Sequence, residues 1–87
     1  MEDSILLAHR IEESVRSGVI VKDKKLRSLG VKKAPFFVLV GAHMPCVLLE
    51  MFFIDHPYES ALLASDRFRE RISKSVASGI YEYFSRQ

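Results

Sequence analysis

The run Met44-Pro45-Cys46-Val47-Leu48-Leu49-Glu50-Met51-Phe52-Phe53-Ile54 constrains the fold more than any other segment, because Glu50 is its one ionisable side chain apart from the thiol of Cys46. Opened by a proline and closed by Asp55-His56-Pro57, such a run reads as a buried strand. A lone carboxylate inside it has to be paired, protonated or functional, since an isolated buried charge is costly. A buried carboxyl suits general acid or base work near neutral pH. The competing reading is a structural glutamate satisfied by backbone amides.

The rest of the chain supplies elements to either side of that run. Phe36–Val40, rich in aromatic and β-branched residues and ended by Gly41, reads as a first strand, and Cys46–Phe52, entered through Pro45, as a second. Asp3 or Ser4 is placed to cap a helix carrying Ile5, Ala8, Ile11 and Val15 on one face, with Gly18 as its stop. Pro57 suits the first turn of a short helix through Leu63, capped by Asp55. A last helix from about Asp66 to Phe84 spaces Phe68, Ile72, Val76, Ile80, Tyr81 and Phe84 as a core stripe. The expected fold is α/β: a fragment of a sheet flanked by helices, about two strands and three helices in the order α-β-β-α-α.

The series Gly30-Val31-Lys32-Lys33-Ala34, Phe36-Phe37-Val38-Leu39, Met44-Pro45-Cys46-Val47-Leu48-Leu49-Glu50, Phe53-Ile54 and Asp55-His56-Pro57-Tyr58-Glu59, with Leu7-Ala8 in the first helix, resembles the C-terminal part of the zinc-dependent N-acetylmuramoyl-L-alanine amidases, the family 3 cell-wall amidases. The resemblance covers almost the whole chain. It implies that residues 1–87 are the C-terminal portion of an amidase catalytic domain. In the complete enzyme that domain would cleave the amide bond between N-acetylmuramoyl and L-alanine in peptidoglycan. It implies a catalytic role for Glu50, beside a zinc ion whose ligands lie in an N-terminal portion with no counterpart here. It therefore implies zinc in the complete enzyme and none in this chain alone, which would be inactive by itself. The other partner implied is the N-terminal part of the same domain. Without it, the sheet edge or apolar face left open would make the isolated chain a homo-oligomer, most simply a dimer through Phe36–Val40 and Cys46–Phe52. The implied location of the parent protein is the periplasm or the extracellular cell wall. Two positions depart from the family pattern: bulky Phe52 stands where a small residue is usual, and Asp55-His56 replaces a serine-asparagine step. Crowding at Phe52 favours an alternative, a non-catalytic binding or assembly module with the same fold.

Composition narrows the remaining possibilities. His9, His43 and His56 fall in no spacing that sets two ligands on one helical face, so no metal site is assigned to them. The single Cys46 excludes an internal disulfide and reads as a small core residue. The net charge of +2 is modest, but Lys22, Lys24, Lys25, Arg27, Lys32 and Lys33 crowd one connecting segment around Asp23. That segment reads as a solvated loop, or as one that attracts an anionic wall polymer or stem-peptide carboxylates. It lacks stacking aromatics, which argues against nucleic acid. The acidic start Met1-Glu2-Asp3-Ser4 is unlike a signal peptide, and no stretch reaches the ~20 apolar residues of a membrane span.

Overall fold

The structure, a computed structural model, describes residues 2–32, 41–53 and 55–86. Helix α1 spans Glu2–Gly18, a single 3-10 turn spans Ile20–Lys22, α2 spans Pro57–Leu63, and α3 spans Asp66–Ser85. Among the described residues there is no strand, which overturns the expected α/β sheet fragment. The first expected strand, Phe36–Val40, lies outside the described residues. The second, Cys46–Phe52, has no regular structure. A strand needs a hydrogen-bonding neighbour, and the two amides that bracket this stretch are instead tied to side chains: Cys46 to the Ser4 hydroxyl and Phe53 to the Glu59 carboxylate.

The helices form where the apolar periodicity places them, with altered caps. Helix α1 begins at Glu2, so Asp3 and Ser4 lie within its first turn. The acids Glu2 and Asp3 suit the positive end of the helix dipole there. Pro57 does open α2, but the capping acceptor is His56 Nδ1, which receives the Glu59 N–H at 3.4 Å; Asp55 is exposed. For α3 the cap is Ser65, whose hydroxyl accepts the Phe68 N–H at 3.3 Å. Arg69 Nη1 then donates to the Leu63 carbonyl at 2.6 Å, satisfying the end of α2.

Helix α3 packs on α1 through a stripe rotated from the one periodicity alone selects. Its buried positions are Phe68, Ile72, Ser75, Gly79 and Tyr83, whereas Ile80, Tyr81 and Phe84 are exposed. Gly79 explains the rotation. A β-carbon there would lie 2.7 Å from Ile11 Cα and 2.8 Å from the Arg10 carbonyl oxygen, so the two backbones meet at that glycine. One turn earlier Ser14 Oγ donates to the Ser75 carbonyl at 2.6 Å across the same seam. Ile80, Tyr81 and Phe84 are thereby left exposed, while Tyr83 stays in the buried stripe.

At the other end of the seam lies the main core, formed by Val19, Leu26, Phe68 and Ile72, with Val15, Ile20, Phe52, Tyr58, Leu62 and Val76 packed around it. Full burial of such side chains is worth about 1.5–3 kcal/mol each. Leu26 belongs to the basic connection, which is therefore fastened to the helices rather than wholly solvated. Tyr58 of α2 donates its hydroxyl to Asp23, Lys25 Nζ sits 4.7 Å above the Tyr58 ring, and Ser28 donates to Glu12 at 2.8 Å. The Tyr58 hydroxyl and the Lys25 amide hold the Asp23 carboxyl below its ordinary value, and the bond to Asp23 pushes the Tyr58 phenol above its own.

Candidate functional site

Glu50 is carried by a segment without regular structure, fixed at both ends and open in between. At its start the Cys46 N–H donates to Ser4 Oγ at 3.0 Å, joining the segment to the first turn of α1. Pro45, Cys46 and Val47 are half-buried there. At its far end Phe52 takes a left-handed backbone conformation, φ 60°, which a bulky side chain adopts only when its surroundings enforce it. The enforcing contact is visible: the Phe52 ring packs 5.6 Å from that of Phe68, at a 57° tilt, in the helical core. One residue on, the Phe53 N–H donates to Glu59 Oε1 at 2.9 Å, and the Phe53 carbonyl accepts the His56 N–H at 3.1 Å. Proline and histidine thus set the start of α2, and its third residue reaches back to grip the segment.

Between these anchors Leu48, Leu49, Glu50 and Met51 are exposed. Glu50 is therefore not the buried carboxylate that the apolar run led one to expect, and no described residue pairs with it. The physical reason is that, among the described residues, no strand pairs with 48–51 and no layer covers it, so Leu48, Leu49, Glu50 and Met51 meet solvent. Phe52, flagged in the sequence as a bulky intruder near the glutamate, spends its ring on the core instead.

The histidines stay apart in role. His9 is exposed on α1 and His56 is the cap of α2. His43 lines a small cavity of about 210 Å³ with Asp3, Ser4, Met44 and Pro45, where the segment leaves α1. Among the described residues no three of His, Cys, Asp and Glu gather into a set that could hold a metal ion. The residues present do not fit a zinc centre, and no chemical step is assigned to one. Among the described residues no helix is long and apolar enough to cross a membrane.

Sequence reasoning missed the two tethers, Ser4 to Cys46 and Glu59 to Phe53. The second had a signal: Glu59 falls at the third helical position after the His56 cap, the place from which an acidic side chain reaches back over a helix start. The first had none, because the bond joins residues 42 apart in sequence.

The model of a known family, described as N-acetylmuramoyl-L-alanine amidase, matches residues 1–82. The chain belongs to this amidase family. Within it, the chain is 42% identical over 60 residues to the N-acetylmuramoyl-L-alanine amidase AmiA of Salmonella typhimurium, 69% of this chain and 21% of that protein. It is 40% identical over 55 residues to the amidase AmiC of Neisseria meningitidis serogroup B, covering 63% of this chain and 13% of that protein. Similarity extends to an endolysin of Bacillus phage SPP1, 39% identical over 62 residues, 71% of this chain and 23% of the endolysin. The chain thus spans about a fifth of the length of the AmiA amidases it matches and 13% of that of the Neisseria AmiC. No solved structure matches it.

Proposed function

We propose that this chain is the C-terminal portion of the catalytic domain of a peptidoglycan amidase, and that Glu50 is its catalytic residue. The observation that carries this reading is the family match over residues 1–82, within which Glu50 stands on an end-tethered segment with its carboxylate open to solvent. The bond cleaved is the amide between N-acetylmuramoyl and L-alanine. As water adds to the amide carbonyl, the Glu50 carboxylate takes the water's proton and returns one to the departing amine. The fixed ends at Cys46 and Phe53 limit where that carboxylate can go, which is the positional contribution of the helical scaffold.

The family resemblance also implies zinc in the complete enzyme; this reading assigns none of its ligands to the described residues, and the chain alone is expected to be inactive. The proposed location of the complete protein is the periplasm or the extracellular cell wall. The exposed side chains of 44–53 are the part that would meet the remainder of the domain, and in the isolated chain they would meet a second copy.

The test is Glu50→Gln in the complete amidase, assayed by dye release from peptidoglycan. The amide keeps the shape but cannot take a proton, so turnover should fall on the order of a hundredfold or more with folding and zinc content unchanged. Undiminished turnover would show that Glu50 is not the catalytic residue, whereas a complete protein that releases no dye even before substitution would favour the binding-module reading.

A further inference from the structure

A concave surface that the amidase reading does not use lies between the C-terminal end of α1 and the middle of α3. Its volume is about 350 Å³, and three cations line it, Lys22, Arg71 and Lys74, together with Gly18 and serine hydroxyls from both helices. None of its described lining residues is acidic. Arg71, Lys74 and Ser78 follow one another at helical spacing, so they share one face of α3. Lys22 closes the cleft from the 3-10 turn after α1.

The cations are available. Lys22 and Arg71 make no ion pair among the described residues, and Lys74 pairs with Glu70 at 3.2 Å through two largely exposed side chains, a contact of little energy that a stronger anion displaces. Gly18 forms the floor by letting the Ser75 side chain pack close against α1, since a β-carbon there would lie 2.5 Å from Ser75 Oγ. The carbonyls at the end of α1 would repel an anion if they were bare. They are not all bare: the Val15 carbonyl accepts the Val19 N–H at 2.9 Å and the Ser14 carbonyl accepts the Ser17 hydroxyl at 3.4 Å. The Ser14 and Ser17 hydroxyls are committed to the Ser75 and Ser14 carbonyls and Ser75 is buried, which leaves exposed Ser78 as the hydroxyl best placed to donate to a ligand.

We propose that this cleft binds phosphate groups, with Arg71 offering a two-pronged guanidinium face, Lys22 and Lys74 acting as point charges, and Ser78 donating a hydrogen bond. Three cations around one concavity match a tetrahedral anion with several acceptor oxygens better than a single planar carboxylate. The phosphate could be the free anion or part of a phosphodiester polymer. Lys24 and Arg27, exposed just beyond Lys22, extend the positive field and favour the polymer.

Titration of the isotopically labelled 87-residue chain with inorganic phosphate, followed by amide resonances, tests this. Saturable shifts should appear at Lys22, Arg71, Lys74 and Ser78, with a dissociation constant on the order of millimolar. A linear polyphosphate binding at least about tenfold more tightly per chain would assign the source to a polymer, and equal affinity per phosphate would assign it to the free anion. Acetate at matched ionic strength should shift these amides little. Replacing Lys22, Arg71 and Lys74 together by Gln, all at exposed positions, should weaken binding about tenfold or more. The charge-matched set Arg16→Gln, Lys32→Gln and Arg86→Gln should weaken it less than about twofold. Equal losses in the two sets, equal shifts with acetate, or no saturable response to phosphate would overturn the proposal.

Discussion

The α1–α3 seam and the 44–53 segment are both rich in apolar or small residues, yet they end in opposite states. Along the seam Ile11, Ile72 and Tyr83 are buried to 6%, 5% and 3% exposure, and Gly79 brings the two backbones into contact. In the segment Met44, Met51 and Phe53 remain 65%, 41% and 62% exposed. The difference is one of hydrogen bonding before it is one of hydropathy. A helix satisfies its own backbone and needs only one face covered, whereas an extended segment needs a neighbour for its backbone as well as a cover for its side chains. The 87 residues supply the first requirement for α1 and α3. For 44–53 the described residues supply only end tethers.

That contrast can be broken most forcefully at Phe68, which serves both regions by packing in the helical core and holding the Phe52 ring. Phe68→Ala should cost about 3–5 kcal/mol, read from thermal or denaturant unfolding. A loss below 1 kcal/mol on the same scale would mean the core does not depend on this ring. Gly79→Ala comes next. An exposed helical glycine would gain from alanine, but here the new methyl meets the backbone of α1, so a loss of about 1–3 kcal/mol is expected. A gain in stability would show that the helices do not touch there.

A more local effect follows from pH. The bond to Tyr58 holds the Asp23 carboxyl below its ordinary value of 3.8, so this fastening is complete above that pH and is lost as pH falls through the lowered value. Tyr58 ring resonances should move over that acid range and stop moving in Asp23→Asn; the same movement in the variant would separate them from Asp23. The smallest effect on the fold belongs to Leu48→Lys with Met51→Lys, which should change unfolding free energy by no more than about 0.5 kcal/mol. Sedimentation of the unmodified chain at tens of micromolar should nevertheless show a dimer that this double variant abolishes; a monomer in both would remove the segment as an association surface.

The helices were legible because their signals are local. Pro57, the spacing of Phe68 and Ile72, and the stop at Gly18 each act within a turn or two. The register of α3 against α1 was less so, since periodicity favours Val76 and Ile80 and gives no weight to Ser75 and Gly79, whose importance lies in having almost no side chain. The sheet expectation failed for a related reason. An apolar run states that a segment prefers cover, and does not state where the cover comes from. Glu50 was conspicuous by its neighbours alone, and its exposure could not be read from them.

Amide hydrogen exchange on the 87-residue chain, at a concentration low enough to keep it monomeric, tests the account most directly. The central claim is that a helical scaffold presents Glu50 on a segment held only at its ends. Amides of α1 and α3 should be protected, Cys46 and Phe53 should be intermediate, and Leu48 to Met51 should exchange near the rate of an unstructured peptide. Strong protection at Leu48 to Met51 in the monomer would mean that a sheet is present after all, and would contradict the account.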